Sequence, residues 1–359
     1  MNTVTTNYRD NFYPKVLKLL IPIVVQNLLS SAISSADVVM LNYVGQSSIS
    51  AVSLASNYAN ILFMVYYGLG TGASMLSSQY WGKKDLQAIR VIQGIALRFS
   101  LLITLVFSSF ALFAPQLMMR LFTTDAELIA IGSGYLRVMS ITYLCWSIIE
   151  IYLSILRSIG RVTISMFLNI LAFVLNIILN ATFIFGLFGA PKLGATGVAI
   201  ATALSRGIEL AGCIIVSLFS KDIKLNPAYM FISNKLLLKD FIHLSLPALG
   251  NDVSWGVAFS MYSVILGHLG SDAVAANSLV IVVRNFGTVL CFATASAGGI
   301  LLGNVMGEGD MERAKIYASK LMKMTIVTSV IGGLLILAAT PLVLRFATLS
   351  DTAMHYLKY

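Results

Sequence analysis

The sequence PIVVQNLLSSAISSADVVMLNYVG at residues 22–45 decides the fold of this chain. It is long and apolar enough to cross a membrane as a helix, and it carries polar residues along one face. It also has a counterpart 225 residues later, PALGNDVSWGVAFSMYSVILGHLG at residues 247–270, which begins and ends with the same residue types. The chain is therefore built from a duplicated set of membrane helices.

The repeat continues past these two segments without a gap. Ser53-Leu54 falls on Ser278-Leu279, and Gly82-x-x-Asp85 falls on Gly307-x-x-Asp310. The first copy runs from about residue 15 to residue 239, whereas counterparts of residues 135–239 are missing. The sequence thus predicts one complete copy and part of a second.

The composition indicates that lipid is the solvent. The chain is 58% hydrophobic and only 11% charged, with a mean hydropathy of +0.86, whereas soluble domains are about 25% charged. We predict nine complete transmembrane helices and the start of a tenth near Tyr356. The nine spans are residues 16–41, 50–77, 95–118, 129–155, 163–188, 194–219, 240–267, 273–304 and 319–346.

The basic residues lie on alternate loops. One side of the membrane holds sixteen: Arg9, Lys15, Lys18, Lys83, Lys84, Arg90, Arg157, Arg161, Lys221, Lys224, Lys235, Lys239, Arg313, Lys315, Lys320 and Lys323. The other holds three: Arg120, Lys192 and Arg345. This asymmetry predicts a multi-pass protein of the cell (inner) membrane with a cytoplasmic amino terminus. It also accounts for the formal charge of +9 without a nucleic-acid partner.

The period of 225 residues contains six predicted spans, so both copies have the same orientation, as in parallel-repeat transporters. We predict a cytoplasmic segment at residues 1–14 and a first lobe of helices 1–6 at residues 15–219. Next comes a cytoplasmic linker at residues 220–239. It is followed by a partial second lobe at residues 240–359, which holds helices 7–9 and the start of a tenth. Two lobes that face each other across a cleft suit alternating access.

Polar residues inside a membrane are costly and mark functional sites. Asp37 lies on one helical face with Gln26, Ser30 and Ser34, and the fifth span carries Asn169, Asn176 and Asn180 on one face. Asp37 is the candidate ion-coupling residue: it can carry a proton or, with the oxygens of Asn176 and Asn180, bind sodium. The alternative is that Asp37 contacts only water near the outer end of its helix.

A second polar face lies on the seventh span, where Asp252, Trp255, Phe259 and Tyr262 are spaced three, four and three residues apart. A carboxylate beside aromatic rings can bind an organic cation; the alternative is ordinary aromatic packing. The candidate substrate-binding residues are Gln26, Ser34, Asn57, Asp252, Trp255 and Tyr262.

Other polar residues suggest structural roles. Arg206 and Glu209 are three residues apart and predict a structural ion pair. Glu150 and Arg284 have no evident local partner, and either pair with each other or line the cleft. The three cysteines are isolated, the histidines have no metal-ligand spacing, and no catalytic motif is visible. We therefore expect no enzyme activity and no bound metal or cofactor, apart from H+ or Na+ as coupling ion.

Together these segments resemble the multidrug and toxic compound extrusion (MATE) family over nearly the whole chain. The resemblance is carried by residues 22–45, SSQYWGKKD at 77–85, and the stretches 156–186, 193–206 and 246–280. It implies a twelve-helix, two-lobed antiporter that exports organic cations in exchange for H+ or Na+. It also implies that Asp37 is the coupling acid, that Asn176 and Asn180 are its polar partners, and that Asp252 is a candidate.

The chain departs from this family in two respects. Many members have an acid followed by proline where this chain has Asn180-Ala181, which leaves Asp37 to carry the site. The family has twelve helices, whereas this chain stops as the tenth begins. We therefore expect that these 359 residues alone transport poorly.

Two other functions are compatible with the sequence. A flippase for lipid-linked saccharides needs several arginines in the cleft, for which Arg98, Arg137, Arg206 and Arg284 are candidates. A membrane-embedded transferase needs an acid/base or metal motif at the membrane edge. We expect a monomer whose partners are small organic cations and the lipid bilayer.

Overall fold

The computed structural model describes residues 12–41, 46–269 and 271–346, and these are helical apart from short connections. The helices in chain order are α1 (Phe12–Leu41), α2 (Gln46–Gly82), α3 (Leu86–Phe113), α4 (Pro115–Arg120), α5 (Ala126–Ser158), α6 (Val162–Phe185), α7 (Gly194–Phe219), α8 (Lys235–Leu269), α9 (Ser271–Gly307) and α10 (Met311–Phe346).

Within the described ranges, eight helices are long and apolar enough to cross a membrane. The prediction of an all-helical, multi-pass membrane protein is confirmed. The helix α8 is not among the eight, although it is 35 residues long. It carries Asp240, His243 and Asp252, which lower its hydropathy.

The predicted third span is wrong at its end. We expected an unbroken helix to residue 118, but α3 stops at Phe113 and a separate short helix, α4, begins at Pro115. Proline has no backbone N–H and its ring clashes with the preceding turn, so a helix breaks there. The backbone N–H of Ala114 still donates to Phe110 O at 3.0 Å and closes α3.

The two Gly-x-x-Asp turns have related geometry. Asp85 Oδ1 accepts the Ala88 N–H, and Asp310 Oδ1 accepts the Arg313 N–H, each at 2.9 Å, so both acids cap the following helix. The left-handed residue of each turn is Lys84 (φ 60°) in one copy and Gly309 (φ 82°) in the other, rather than Gly82 or Gly307.

The duplication is visible in the helices themselves. Both α2 and α9 contain 37 residues, and their bounds differ by 225 positions. They meet at equivalent points: a Cβ on Gly82 would lie 2.1 Å from Asn304 O, and a Cβ on Gly307 would lie 1.9 Å from Gln79 O. These glycines are needed because the two backbones touch there.

The connection between the two copies packs on the first copy. Both Arg90 Nε and Nη2 donate to Asp222 O, at 3.1 and 2.9 Å, and the Asp222 carboxylate forms an ion pair with Arg161. A short 3-10 turn, Pro227–Phe231, lies against α3. The segment before α8 is thus attached to the end of the first copy that the charge pattern places in the cytoplasm.

The two copies also meet on that predicted cytoplasmic side. Along α2, Gly72 contacts Ser245 of α8, and Ser78 contacts Gly303 of α9. The rings of Phe12 and Tyr317 lie 5.0 Å apart. Among the described residues, the contacts between the copies thus include the predicted cytoplasmic ends of α1, α2, α8 and α9.

Candidate functional site

A buried chain of polar side chains joins α6 to α7. Asn180 Nδ2 donates to Asn176 Oδ1 at 3.1 Å, and Asn176 Nδ2 donates to Thr202 Oγ1 at 3.3 Å. Asn180 is 0% exposed and Asn176 is 5% exposed. The two asparagines are four residues apart, so they lie one turn apart on the face of α6 that packs against α7. Buried amides need such partners.

A second polar contact joins α6 to α1. Gln26 Nε2 donates to Ser165 Oγ at 2.8 Å, and Gln26 is buried. We predicted that Gln26 binds substrate; the structure places its amide between two first-copy helices, α1 and α6. The contact fixes the position of α1 relative to α6 near the start of α6.

This contact also bears on the expected height of Asp37. The predicted topology runs α1 and α6 in the same direction, and Asp37 lies eleven residues after Gln26, just as Asn176 lies eleven residues after Ser165. Eleven residues of helix rise about 16 Å. We therefore expect the backbone of Asp37 near the level of Asn176. The side chains of Ser30, Ser34 and Asp37 lie outside the described residues.

The face of α2 that carries Asn57, a candidate substrate-binding residue, is exposed. Ser53, Asn57 and Asn60 all have exposed side chains, whereas Tyr58 on another face is buried and donates to Phe107 O at 2.8 Å. Asn57 therefore does not belong to the group of buried amides on α6. It remains a candidate substrate-binding residue, but only for a ligand in a solvent-filled region.

The polar face of α8 presents an acid and two rings. Asp252 is half-buried. Its Oδ1 accepts a long hydrogen bond of 3.5 Å from Asn251 Nδ2. The rings of Trp255 and Phe259 lie 5.3 Å apart and are 55% and 38% exposed. The side chain of Tyr262 lies outside the described residues.

Asp252 faces the first copy. Tyr67 of α2 lies within electrostatic range of Asp252 and also of Glu150 and Arg157 on α5. The tight contacts of α2 with α8 support this arrangement, since Gly68 meets Leu249 and Gly256 meets Met64. Asp252 thus lies on the cleft side of α8 between these two contacts.

Two ion pairs neutralise charges in the first copy. Arg206 Nη1 lies 2.6 Å from Glu209 Oε2, and the guanidinium lies 4.8 Å from the centre of the Trp146 ring. Arg157 Nη2 lies 2.8 Å from Glu150 Oε1. The sequence left Glu150 without a partner because we placed Arg157 in a loop, whereas α5 continues to Ser158.

Arg284 does not pair with Glu150, because Glu150 is held by Arg157. Its guanidinium carbon lies 4.4 Å from the centre of the Phe259 ring, so α9 places a cation over an aromatic ring of α8. In the part of the chain that the structure describes, no group of three or more His, Cys, Asp or Glu residues can hold a metal ion.

The sequence missed two members of this site. Thr202 accepts from Asn176, but a single threonine in an apolar span gives no signal of which helix it faces. Tyr67 lies close to Asp252, Glu150 and Arg157 in the structure. In the sequence, nothing distinguishes it from the other aromatic residues of α2. The Glu150–Arg157 spacing of seven residues was a usable signal, since seven residues are about two helical turns.

Long apolar helices in two copies, with polar side chains inside the helical groups and between them, are typical of membrane transporters. The MatE family model matches residues 22–182 and 253–359. The chain therefore belongs to the MATE family of transporters.

Relatives are similar over most of this chain. It is 25% identical over 295 residues to "Uncharacterized transporter YisQ" of Bacillus subtilis (strain 168), covering 82% of this chain and 64% of that protein. It is 26% identical over 343 residues to "Probable multidrug resistance protein NorM" of Haemophilus ducreyi, covering 94% and 73%. The chain thus spans about two thirds of the length of these relatives.

Solved structures share the fold. A MATE structure in the straight conformation matches with a TM-score of 0.85 at 22% identity, over 96% of this chain and 76% of that one. An outward-facing MATE transporter of the MOP superfamily matches with a TM-score of 0.79 at 23% identity, over 93% and 72%.

Proposed function

We propose that this protein is an antiporter that exports organic cations in exchange for H+ or Na+ by alternating access. The observation that carries the proposal is the buried polar chain Asn180–Asn176–Thr202 inside the first copy. Polar side chains inside a membrane are costly and mark candidate functional sites.

The chemistry of the cluster suits a small cation. Asn176 and Asn180 supply amide oxygens, and Asp37 supplies the one carboxylate that the polar stripes of α1 and α6 contain. Oxygen ligands of this type bind hard cations, and a carboxylate in a weakly hydrated site can instead take up a proton. In both cases binding of the ion neutralises Asp37.

The inter-copy contacts support a cleft between the two copies. Among the described residues, glycines bring the backbones of α2 and α9 together at the predicted cytoplasmic ends of these helices. The relatives named multidrug resistance proteins and the fold shared with an outward-facing MATE structure support an export function.

The flippase alternative loses one of its supports in this structure. It relied on four arginines that are free to bind pyrophosphate, but Arg206 is paired with the fully buried Glu209. We therefore prefer organic cation export.

The test is efflux of the fluorescent cation rhodamine 123 from membrane vesicles, driven first by a pH gradient and then by a sodium gradient. The complete gene product should be used, with any helices beyond Tyr359. We expect one gradient to drive efflux, and Asp37→Asn to abolish the gradient dependence, because an amide cannot exchange a proton or balance a sodium ion.

Asn169→Ala is the matched control. Asn169 lies on the same face of α6, one helical repeat away, and donates to Ser165 O at 2.9 Å. It should keep efflux, whereas Asn176→Ala should weaken it about tenfold, in line with the loss of one polar ligand. Full gradient-driven efflux by Asp37→Asn would refute the assignment of the coupling acid.

A further inference from the structure

The connection between the two copies crosses one face of α3. Arg90, Gly94 and Arg98 are four residues apart, so they lie one above the other on that face, with a rise of about 6 Å at each step. Arg90 donates to Asp222 O. One turn further along, a Cβ on Gly94 would lie 2.2 Å from Tyr229 O. The connection therefore covers this face of α3 at Arg90 and again at Gly94.

Arg98 is the next position on this face, on the membrane side of the connection. The predicted third span begins at residue 95, so the backbone of Arg98 lies about 5 Å inside that span. Its side chain is partly exposed, and the guanidinium carbon lies 5.7 Å from the centre of the Phe99 ring. Arg98 forms no ion pair with any residue that the structure describes. An arginine at this depth can extend its charge into the headgroup region.

The connection adds further positive charge beside this face. Lys221 and Lys224 are exposed on either side of Asp222, and the Asp222 carboxylate is already paired with Arg161. Asp222 is also the one acid in the sequence between residues 220 and 234. The two lysines are therefore not balanced by a free acid of the connection. Basic residues clustered at a cytoplasmic membrane surface attract anionic lipids.

An exposed aromatic ring lies in the same segment. Phe231 ends the 3-10 turn that packs against α3, and it is 84% exposed. It follows Tyr229 by two residues, and Tyr229 contacts Gly94 at the edge of the predicted third span. Phe231 is thus close to the level at which headgroups meet acyl chains, where exposed aromatic and apolar side chains are stabilised by lipid. A soluble anion would have no use for this ring.

We propose that Arg98, Lys221, Lys224 and Phe231 form a binding site for an anionic phospholipid of the predicted cytoplasmic leaflet. We call these four residues the lipid patch. The Arg98 guanidinium donates charge-assisted hydrogen bonds to the lipid phosphate. The two lysines favour a headgroup with a net negative charge, and Phe231 contacts the upper part of the acyl chains. This site is separate from the proposed transport site and does not depend on the export function.

The test places a fluorescent reporter in the lipid patch. Phe231→Cys is made in the complete gene product, with Cys145, Cys213 and Cys291 replaced by alanine, and is labelled with bimane, which retains an aromatic group there. The protein is placed in phosphatidylcholine nanodiscs that contain increasing fractions of brominated phosphatidylglycerol or brominated phosphatidylcholine, which quench the label on contact. We expect half-maximal quenching at an at least about fivefold lower fraction of phosphatidylglycerol, the effect of about one basic contact with an anionic lipid.

Substitutions then assign the charges. Arg98→Gln should raise the half-maximal fraction of phosphatidylglycerol about fivefold, and Arg98→Lys should restore part of the affinity. Lys221→Gln combined with Lys224→Gln should remove the preference over phosphatidylcholine. Both lysines are exposed, so this pair tests the site without disturbing the packing of α3. The matched control is Arg120→Gln, because Arg120 is an exposed arginine on α4 at the other predicted side of the membrane.

Several outcomes would overturn the lipid patch. Equal quenching by the two brominated lipids would do so, as would a preference that survives both Arg98→Gln and the lysine pair or that is lost in Arg120→Gln. Relief of quenching by soluble glycerol 3-phosphate would show a site for a free anion instead of a lipid. Failure of efflux with an intact lipid preference would refute the proposed function alone.

Discussion

Glu209 shows how an acid is accommodated inside the first copy. Its side chain is 0% exposed, and Arg206 of the preceding turn supplies its counter-charge at 2.6 Å. The Trp146 ring lies against the same guanidinium. The pair thus lies between α5 and α7, where the Glu209 carboxylate is shielded from water while the Arg206 side chain stays 19% exposed.

Removing one member of this pair should be more harmful than removing both. We expect Arg206→Met to destabilise the protein by about 3–5 kcal/mol, because it leaves an uncompensated buried carboxylate. The double variant Arg206→Met with Glu209→Leu should recover most of that loss, since apolar residues of similar size can replace a buried pair. Thermal unfolding in detergent measures both.

A melting temperature of Arg206→Met equal to that of the unaltered protein would show that Glu209 is neutral or hydrated. The control is Lys315→Met. Lys315 pairs with Glu312 at 3.6 Å, but both side chains are highly exposed, so this change should alter stability by less than about 1 kcal/mol.

At this scale the sequence predicted what helical spacing encodes. The Arg206–Glu209 proximity and the shared face of Asn176 and Asn180 follow from three- and four-residue intervals. The Asn176–Thr202 contact could not be predicted, because it depends on the rotation of α7 against α6. Asp37 stays a prediction, since its side chain lies outside the described residues.

At the scale of helices, α2 and α9 form the contact that relates the two copies. Gly82 lies against Asn304, and Gly307 lies against Gln79, which are positions related by the 225-residue repeat. The same two backbones therefore touch twice around one approximate two-fold axis. Any inward opening of the cleft has to separate them.

Gly307→Ala should weaken this closure. A Cβ there would lie 1.9 Å from Gln79 O, a backbone atom that cannot move alone, so the helices have to separate. Gly299→Ala on the same helix is the matched control, since a Cβ there would have no neighbour within 4 Å.

Closure is measured by labelling a cysteine at Ser78, which is buried against Gly303, in a background with Cys145, Cys213 and Cys291 replaced by alanine. We expect a water-soluble thiol reagent to label it several-fold faster in Gly307→Ala than in Gly299→Ala. Equal labelling rates would show that this contact does not hold the closed side together.

The helix pattern was predictable because apolar length and polar loops determine where a chain crosses lipid. Helix ends were less predictable. Several helices, such as α5 and α10, extend beyond their apolar runs, because hydrogen bonds and caps continue a helix into water. The break at Pro115 interrupts an apolar run that hydropathy alone reads as continuous.

At the scale of the whole molecule, each copy contributes one candidate site. The first copy holds the buried amides of α6, and the second copy holds Asp252 beside Tyr67, facing the first copy. In the proposed mechanism, the ion neutralises the first site while the substrate occupies the cleft. Antiport then requires that each ligand weakens binding of the other.

The most direct measurement of this central claim is the Kd of rhodamine 123 for the full chain in nanodiscs, recorded while Na+ and, separately, protons are increased. We predict that one of the two ions raises the Kd at least about tenfold, a typical coupling strength, and that Asp37→Asn removes the effect while Asn169→Ala keeps it. A Kd that is independent of both ions, or that responds equally in Asp37→Asn, would contradict the account.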